Sequence, residues 1–217
     1  MPGIVFVSVP YMPNVFALPS LLPSIDRKLY PADQYPDGQW DYYRFYLEHF
    51  DQTVNDFDAD IRASLAAIFR SGNPASAGTV YRSALITRNG GWFGSAHHAP
   101  AVQPDPALWP PSDFETLVES FRSKGFRPGN SWYLNDAANL AYAQAAPDAG
   151  RLHQPVLFIN GEFDGLCDIT HNHSGEGMSN ACSDLTVVNL PSGHWLPLER
   201  KAEMIQTVRS WLTTKAL

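Results

Sequence analysis

Two side chains near the C-terminus have the types and the order for proton-transfer chemistry. Asp164 follows Gly161-Glu162-Phe163, directly after the apolar run Pro155-Val156-Leu157-Phe158-Ile159-Asn160. His194 lies in Pro191-Ser192-Gly193-His194-Trp195, directly after the apolar run 185–190. An imidazole titrates near neutral pH and can take and return a proton. A carboxylate behind it orients the ring and stabilises the imidazolium. An acid followed by a base in chain order matches the last two members of a nucleophile–acid–base triad. Loops at the carboxyl ends of strands are where open α/β sheets meet their ligands. A capping Asp and a surface-loop His are the alternative reading of the same residues.

The elements that must hold these loops are legible in part. Residues 3–9 are β-branched and nearly continuously apolar, and Pro10 ends the run, as expected of a strand buried on both faces of a parallel sheet. Residues 155–160 and 185–190 read as two further strands. Between them the pattern is helical. Trp40, Tyr43 and Leu47 share a face, and Phe57, Ile61, Leu65 and Ile68 predict one amphipathic helix stopped by Gly72-Asn73-Pro74. Ser112 and Glu115 read as a capping box opening a helix that ends near Gly125. Another helix is expected from about Ser131 to Ala146. A last one spans 200–212 with Met204, Ile205, Val208, Trp211 and Leu212 facing inward. One strand, a largely helical block, then two strands with helices implies an α/β sheet carrying an inserted helical cap.

Composition removes several function classes. The 217 residues are 44% hydrophobic, enough for a packed core. Lys and Arg number 15 against 22 Asp and Glu, and no basic stripe stands out, so no nucleic-acid partner is expected. No apolar run reaches the ~18 residues of a membrane helix, and the N-terminal stretch lacks a basic flank, so no membrane partner and no signal peptide are expected. Two cysteines, Cys167 and Cys182, do not make a disulfide scaffold, which points to a cytoplasmic protein. Whether they pair is open. His97-His98 and His171-Asn172-His173 lack a Cys or carboxylate set at ligand spacing. No metal and no cofactor are expected.

The arrangement resembles the α/β-hydrolase fold and, within it, the soluble epoxide hydrolase family. Val7-Ser8-Val9-Pro10-Tyr11 looks like the family's strand just after the nucleophile helix. Trp40-Asp41-Tyr42 and Asn130-Ser131-Trp132-Tyr133-Leu134-Asn135 look like its two cap segments, and Gly161-Glu162-Phe163-Asp164 and Ser192-Gly193-His194-Trp195 match its acid and base motifs. The resemblance implies that Tyr42 and Tyr133 hold an epoxide oxygen, with Tyr43 and Tyr46 as close rivals of Tyr42. It implies Asp164 and His194 as acid and base, and Trp132, Trp92 and Trp195 against the substrate. Trp92, beside Gly90-Gly91, lines the cap pocket or simply packs there. A phenol is protonated at neutral pH and can donate to a developing alkoxide. In the family's chemistry a carboxylate opens the ring to an ester, and water activated by the His–Asp pair releases a diol. The implied partner is a small apolar epoxide or ester-like substrate.

One part of that machinery has no match. No G-x-[D/S/C]-x-G elbow precedes the helical block, and no His-Gly-x-Pro-like turn is present. Cys167, three residues beyond the acid on a loop where the family keeps no nucleophile, is expected to be a buried or paired thiol rather than a substitute nucleophile. The expected fold is therefore an incomplete α/β-hydrolase core, the last three strands of a mostly parallel sheet. Residues 1–12 and 148–217 form it, and 13–147 form the cap. The first strand would be an exposed edge, open to a complementing chain or a second copy. The expected function is epoxide hydrolase-like. The alternatives are an inactive truncated homologue that binds or dimerises, an esterase, or a dehalogenase, the last disfavoured by the tyrosine pair. A start codon further upstream would also explain the missing elbow.

Overall fold

Three strands pair in parallel in the order β1-β2-β3. They are β1 (Ile4–Val7), β2 (Leu152–Gly161) and β3 (Cys182–Leu190). The computed structural model describes residues 3–216. β2 is central, with Val7 opposite Ile159 on one side and Gly161 opposite Leu190 on the other. Its unbroken apolar run follows from having two covered faces. Val156 and Phe158 pack with Ile4, Phe6 and Leu185 on Met178, while Leu157 and Ile159 pack with Val7 and Val188 on Leu196 and Trp211. Residues 156–159 are fully buried, and each such side chain contributes about 1.5–3 kcal/mol relative to exposure. β1 and β3 are the outer strands among the described residues, and Val5 is 37% exposed.

The helical segments between β1 and β2 differ from the sequence reading at three places. The pattern over 57–68 is shared by two helices, Phe50–Asp58 and Ile61–Ile68. Asp60 separates them: its backbone is extended and its Oδ1 accepts the Ala63 N–H at 2.9 Å. A capping carboxylate thus overrides a continuous apolar stripe. Ser112 is not an N-cap, because the helix Pro111–Arg122 already begins with Pro111 in its first turn. Glu115 reaches across to Arg62 at 2.6 Å instead. The expected helix over 131–146 splits into a 3₁₀ turn, Ser131–Leu134, and the helix Asp136–Gln144.

The last helix is Lys201–Thr214. Met204, Val208 and Trp211 pack against the sheet, but Ile205 and Leu212 are each 37% exposed and do not face inward as expected. The helical block meets the sheet through an aromatic cluster holding Trp40, Tyr42, Tyr43 and Tyr46, into which Cys167 inserts from the loop after β2. Cys182 belongs to the opposite face of the sheet, and both thiols are free, so they do not pair. No helix of the described residues is long and apolar enough to cross a membrane.

Candidate active site

The loops leaving β2 and β3 are stitched together by backbone. The Glu162 N–H donates to the Leu190 carbonyl at 3.0 Å and the Phe163 N–H to that of Ser192 at 2.9 Å. This sets Asp164 against His194, with Oδ2 2.8 Å from Nδ1. Asp164 is 2% exposed. Its other oxygen accepts the N–H groups of Leu166 at 3.0 Å and Cys167 at 3.3 Å. A buried carboxylate is tolerable when its lone pairs are filled in this way. Nδ1 being engaged, Nε2 is the nitrogen left for chemistry.

The base loop is held from below by Glu199. One carboxylate oxygen accepts the N–H of Gly193 and that of Gly72, each at 2.9 Å. The two glycines touch so closely that a Cβ on Gly193 would stand 2.6 Å from the Gly72 Cα. No residue larger than glycine fits there without moving backbone. Trp195 completes the hold: its indole N–H donates to the Ile68 carbonyl at 3.2 Å and its ring packs on Phe69 at 4.2 Å between centroids. Burial lowers the His194 pKa, but the carboxylate of Asp164, and behind it Glu199, outweigh this, and the net shift is upward.

His194 borders a cavity of about 150 Å³ roofed by aromatics of the helical block. Tyr42, Tyr46, Tyr133, Trp92 and Trp195 are on its wall. Tyr42 comes from the helix Asp41–Glu48, and Tyr133 from the Ser131–Leu134 turn. Their rings meet edge to face with centroids 5.7 Å apart, and Tyr46 stacks on Tyr133 at 4.5 Å. Burial raises the pKa of both Tyr42 and Tyr133, so both remain protonated donors at neutral pH.

Six of the seven residues singled out from sequence thus come together: His194, Tyr42, Tyr133, Trp92 and Trp195 line the cavity, with Asp164 directly behind His194. Trp132 does not. It is 48% exposed and packs on Phe16 and the outer side of Tyr133. Among the rivals of Tyr42, Tyr43 lies off the cavity wall and donates a hydrogen bond to Asp136, while Tyr46 does line the cavity. Tyr81, Arg82 and Glu199 escaped the sequence reading. They sit in loop-rich or turn segments with no periodicity to mark them.

Among the described residues, no carboxylate lines the cavity. Ser83 does, but its hydroxyl is committed to the Gln39 carbonyl at 2.8 Å. Asp164, Cys167 and His194 bring one metal-ligand atom each within 4.8 Å of one another. Burial and Asp164 hold the Cys167 thiol well above its usual pKa, against the thiolate that both a metal and an electrophile need.

No family model matches the chain. A curated relative, bifunctional epoxide hydrolase 2 of Sus scrofa, is 24% identical over 161 residues, which are 73% of this chain and 28% of that protein. Epoxide hydrolase A from Mycobacterium thermoresistibile superposes with a TM-score of 0.62 at 19% identity over 98% of this chain and 61% of its own. Potato (Solanum tuberosum) epoxide hydrolase I gives a TM-score of 0.63 at 19% identity, covering 98% and 62%. The chain therefore spans about 60% of these solved relatives and less of the curated one. Its three parallel strands and inserted helices carry the α/β-hydrolase fold of the epoxide hydrolases, over the part of that fold that this chain spans.

Proposed function

We propose that the chain carries the acid–base and oxygen-holding half of an epoxide-opening site. The observation that supports this best is the pairing of His194 with Asp164 across a small cavity from two protonated phenols. On this reading residues 13–147 act as the cap, and 1–12 with 148–217 belong to the core.

An oxirane seated under Tyr42 and Tyr133 presents its oxygen to the two hydroxyls and its carbons to the floor. A carboxylate attacking one carbon forms a C–O ester bond and breaks the ring C–O bond, and a tyrosine proton goes to the released oxygen. Water then attacks the ester carbonyl carbon while giving a proton to Nε2 of His194, and Asp164 stabilises the imidazolium. The acyl C–O bond breaks, the departing diol oxygen takes the proton back from His194, and the remaining carboxylic-acid proton restores the tyrosine. Among the described residues the cavity wall carries no attacking carboxylate, and the sequence has no His-Gly-x-Pro-like turn to hold the oxyanion of the second step. A polypeptide carrying that carboxylate would add beside β1, whose outer edge is open among those residues.

The test is diol formation from styrene oxide by the full chain, alone and with a strand–G-x-D-x-G–helix polypeptide taken from a related epoxide hydrolase. Diol in the mixture, abolished by His194→Gln, is the expected result. A mixture that associates stably yet yields no diol sinks the reading. The bare cavity wall also favours a second reading, a module that binds an apolar ligand without turning it over. Tight binding of styrene oxide with no diol under either condition would support it.

A further inference from the structure

The cavity under Tyr42 and Tyr133 does not stand alone. A second one, of about 460 Å³, shares Ile68, Arg82 and Trp92 with it. Those three side chains stand on both walls, where the two cavities adjoin. The outer cavity is walled mainly by apolar groups such as Ile86, Phe93 and Pro100. Arg82 is the one permanently charged side chain on either wall among the described residues.

Among the described residues most arginines are paired, and Arg82, like Arg151 and Arg209, is not; of these three it alone lines either cavity wall. Arg44 lies 3.0 Å from Asp37, Arg62 lies 2.6 Å from Glu115 and Arg127 lies 2.6 Å from Asp51. Arg27, Arg70 and Arg88 donate to backbone carbonyls. No carboxylate among the described residues lies within ion-pair distance of Arg82, and neither cavity wall offers it one. Its guanidinium sits beside the Tyr81 hydroxyl, whose pKa burial raises and Arg82 holds back. The Tyr81 ring is in turn pressed against Gly165, next to Asp164, which fixes the backbone from which Arg82 projects.

A guanidinium is a planar fork of donors matched to a carboxylate. Beside Trp92 on the cavity wall and itself exposed, it attracts an anion with a strength that salt screens. We infer that the ligand of this cavity carries a carboxylate, which Arg82 binds where the two cavities adjoin. Arg82 lines the same 150 Å³ space as Tyr42, Tyr133 and His194, so only a few bonds separate the carboxylate from the group under the phenols. The rest of the ligand extends into the apolar outer cavity. Joined to the epoxide-opening reading, on which the identity of the reacting group rests, this names the substrate class as short-spaced epoxy acids.

The experiment reads binding, not turnover, so it does not depend on the nucleophile. The full chain is titrated with 3-phenylpropanoate and with 3-phenylpropanamide, followed by the fluorescence of Trp92 and Trp195 on the cavity wall. The acid is expected to bind about tenfold more tightly than the amide, as one charge-assisted pair would give. Arg82→Gln should bring the ratio near one, Arg82→Lys should keep part of it, and added salt should reduce it, since Arg82 is exposed. Equal affinity in the unmodified chain, no binding of either probe, or a preference that survives Arg82→Gln would each overturn the proposal. Diol formation from styrene oxide, a neutral substrate, is scored separately. An acid preference without diol under complementation keeps the anion site and rejects the epoxide chemistry. Diol without an acid preference does the reverse.

Discussion

Glu199 and Gly193 are joined by a 2.9 Å hydrogen bond from the glycine N–H to the carboxylate, one residue before His194. The same oxygen takes the N–H of Gly72. A single side chain thus ties the base loop to the segment after the helix Ile61–Ile68 and places a negative charge near the imidazole. Glu199 is a positioning residue in this reading, because it acts through the loop and through His194.

The two effects separate by substitution. Glu199→Gln keeps an acceptor for the two N–H groups and removes the charge. The His194 pKa, followed by NMR titration, should fall while Tm changes little. Glu199→Ala leaves two part-buried donors unmet, the Gly193 N–H the more enclosed, and should cost about 1–2 kcal/mol of stability. An unchanged His194 pKa in the glutamine variant would mean that the carboxylate only anchors the loop.

The upward shift of His194 has a definite pH signature. With the folded pKa above the unfolded one, the pair with Asp164 contributes full stability below the usual imidazole value. That contribution fades as pH rises through the folded pKa. Asp164→Asn should therefore lower Tm most below the usual imidazole value of about 6.5, and the gap from the parent chain should narrow as pH rises through the raised folded pKa. Any His194-dependent hydrolysis should run the opposite way and rise with pH as the neutral base appears. A Tm gap that grows with pH would contradict the assigned pair.

Part of this arrangement is legible in the sequence. Asp164 and His194 announce themselves because short apolar runs end just before them, and a parallel sheet brings such ends together. β2 was legible because both of its faces are covered. The split at Asp60 was not, since the apolar stripe runs across the break and only the cap geometry interrupts it. Trp132 and Tyr133 are neighbours of equal aromatic character, yet one faces solvent and the other the cavity. A 3₁₀ turn decides which, and no periodicity reports it. Arg82 and Glu199 are defined by what lies near them in space, from segments distant in sequence.

The tyrosines can be told apart by function. Tyr133→Phe removes a cavity hydroxyl and should leave stability within about 0.5 kcal/mol. In the complemented chain it should slow epoxide opening by about 10²-fold, the scale of losing one donor to a developing oxyanion. Tyr43→Phe is expected to do the opposite. It strips Asp136 of its phenol donor and should cost about 1 kcal/mol of stability, with little effect on rate. Denaturant unfolding together with diol assays distinguishes the two. Equal behaviour of both variants would remove the reason for assigning Tyr133 to the oxygen.

Ser8 is the residue where β1 turns toward the site. Its φ is +61°, in the left-handed region that costs a non-glycine residue of order 1 kcal/mol or more. It is buried, its N–H is bound to the Ile159 carbonyl at 3.0 Å, and its hydroxyl finds no partner among the described residues. The ladder to β2 holds the backbone in place, and the side chain supplies nothing that offsets the strain. Ser8→Gly removes both the Cβ clash and the unmet hydroxyl. Glycine also has more freedom to lose on folding, by roughly 0.5–1 kcal/mol. The balance favours a gain of up to about 1 kcal/mol in the isolated chain, measured by denaturant unfolding. Association with a polypeptide beside β1 supplies the informative contrast. If the Ser8 hydroxyl bonds to that partner, Ser8→Gly should stabilise the chain alone but weaken the pairing. A variant less stable than the parent even in isolation would show that the hydroxyl already has a use within this fold.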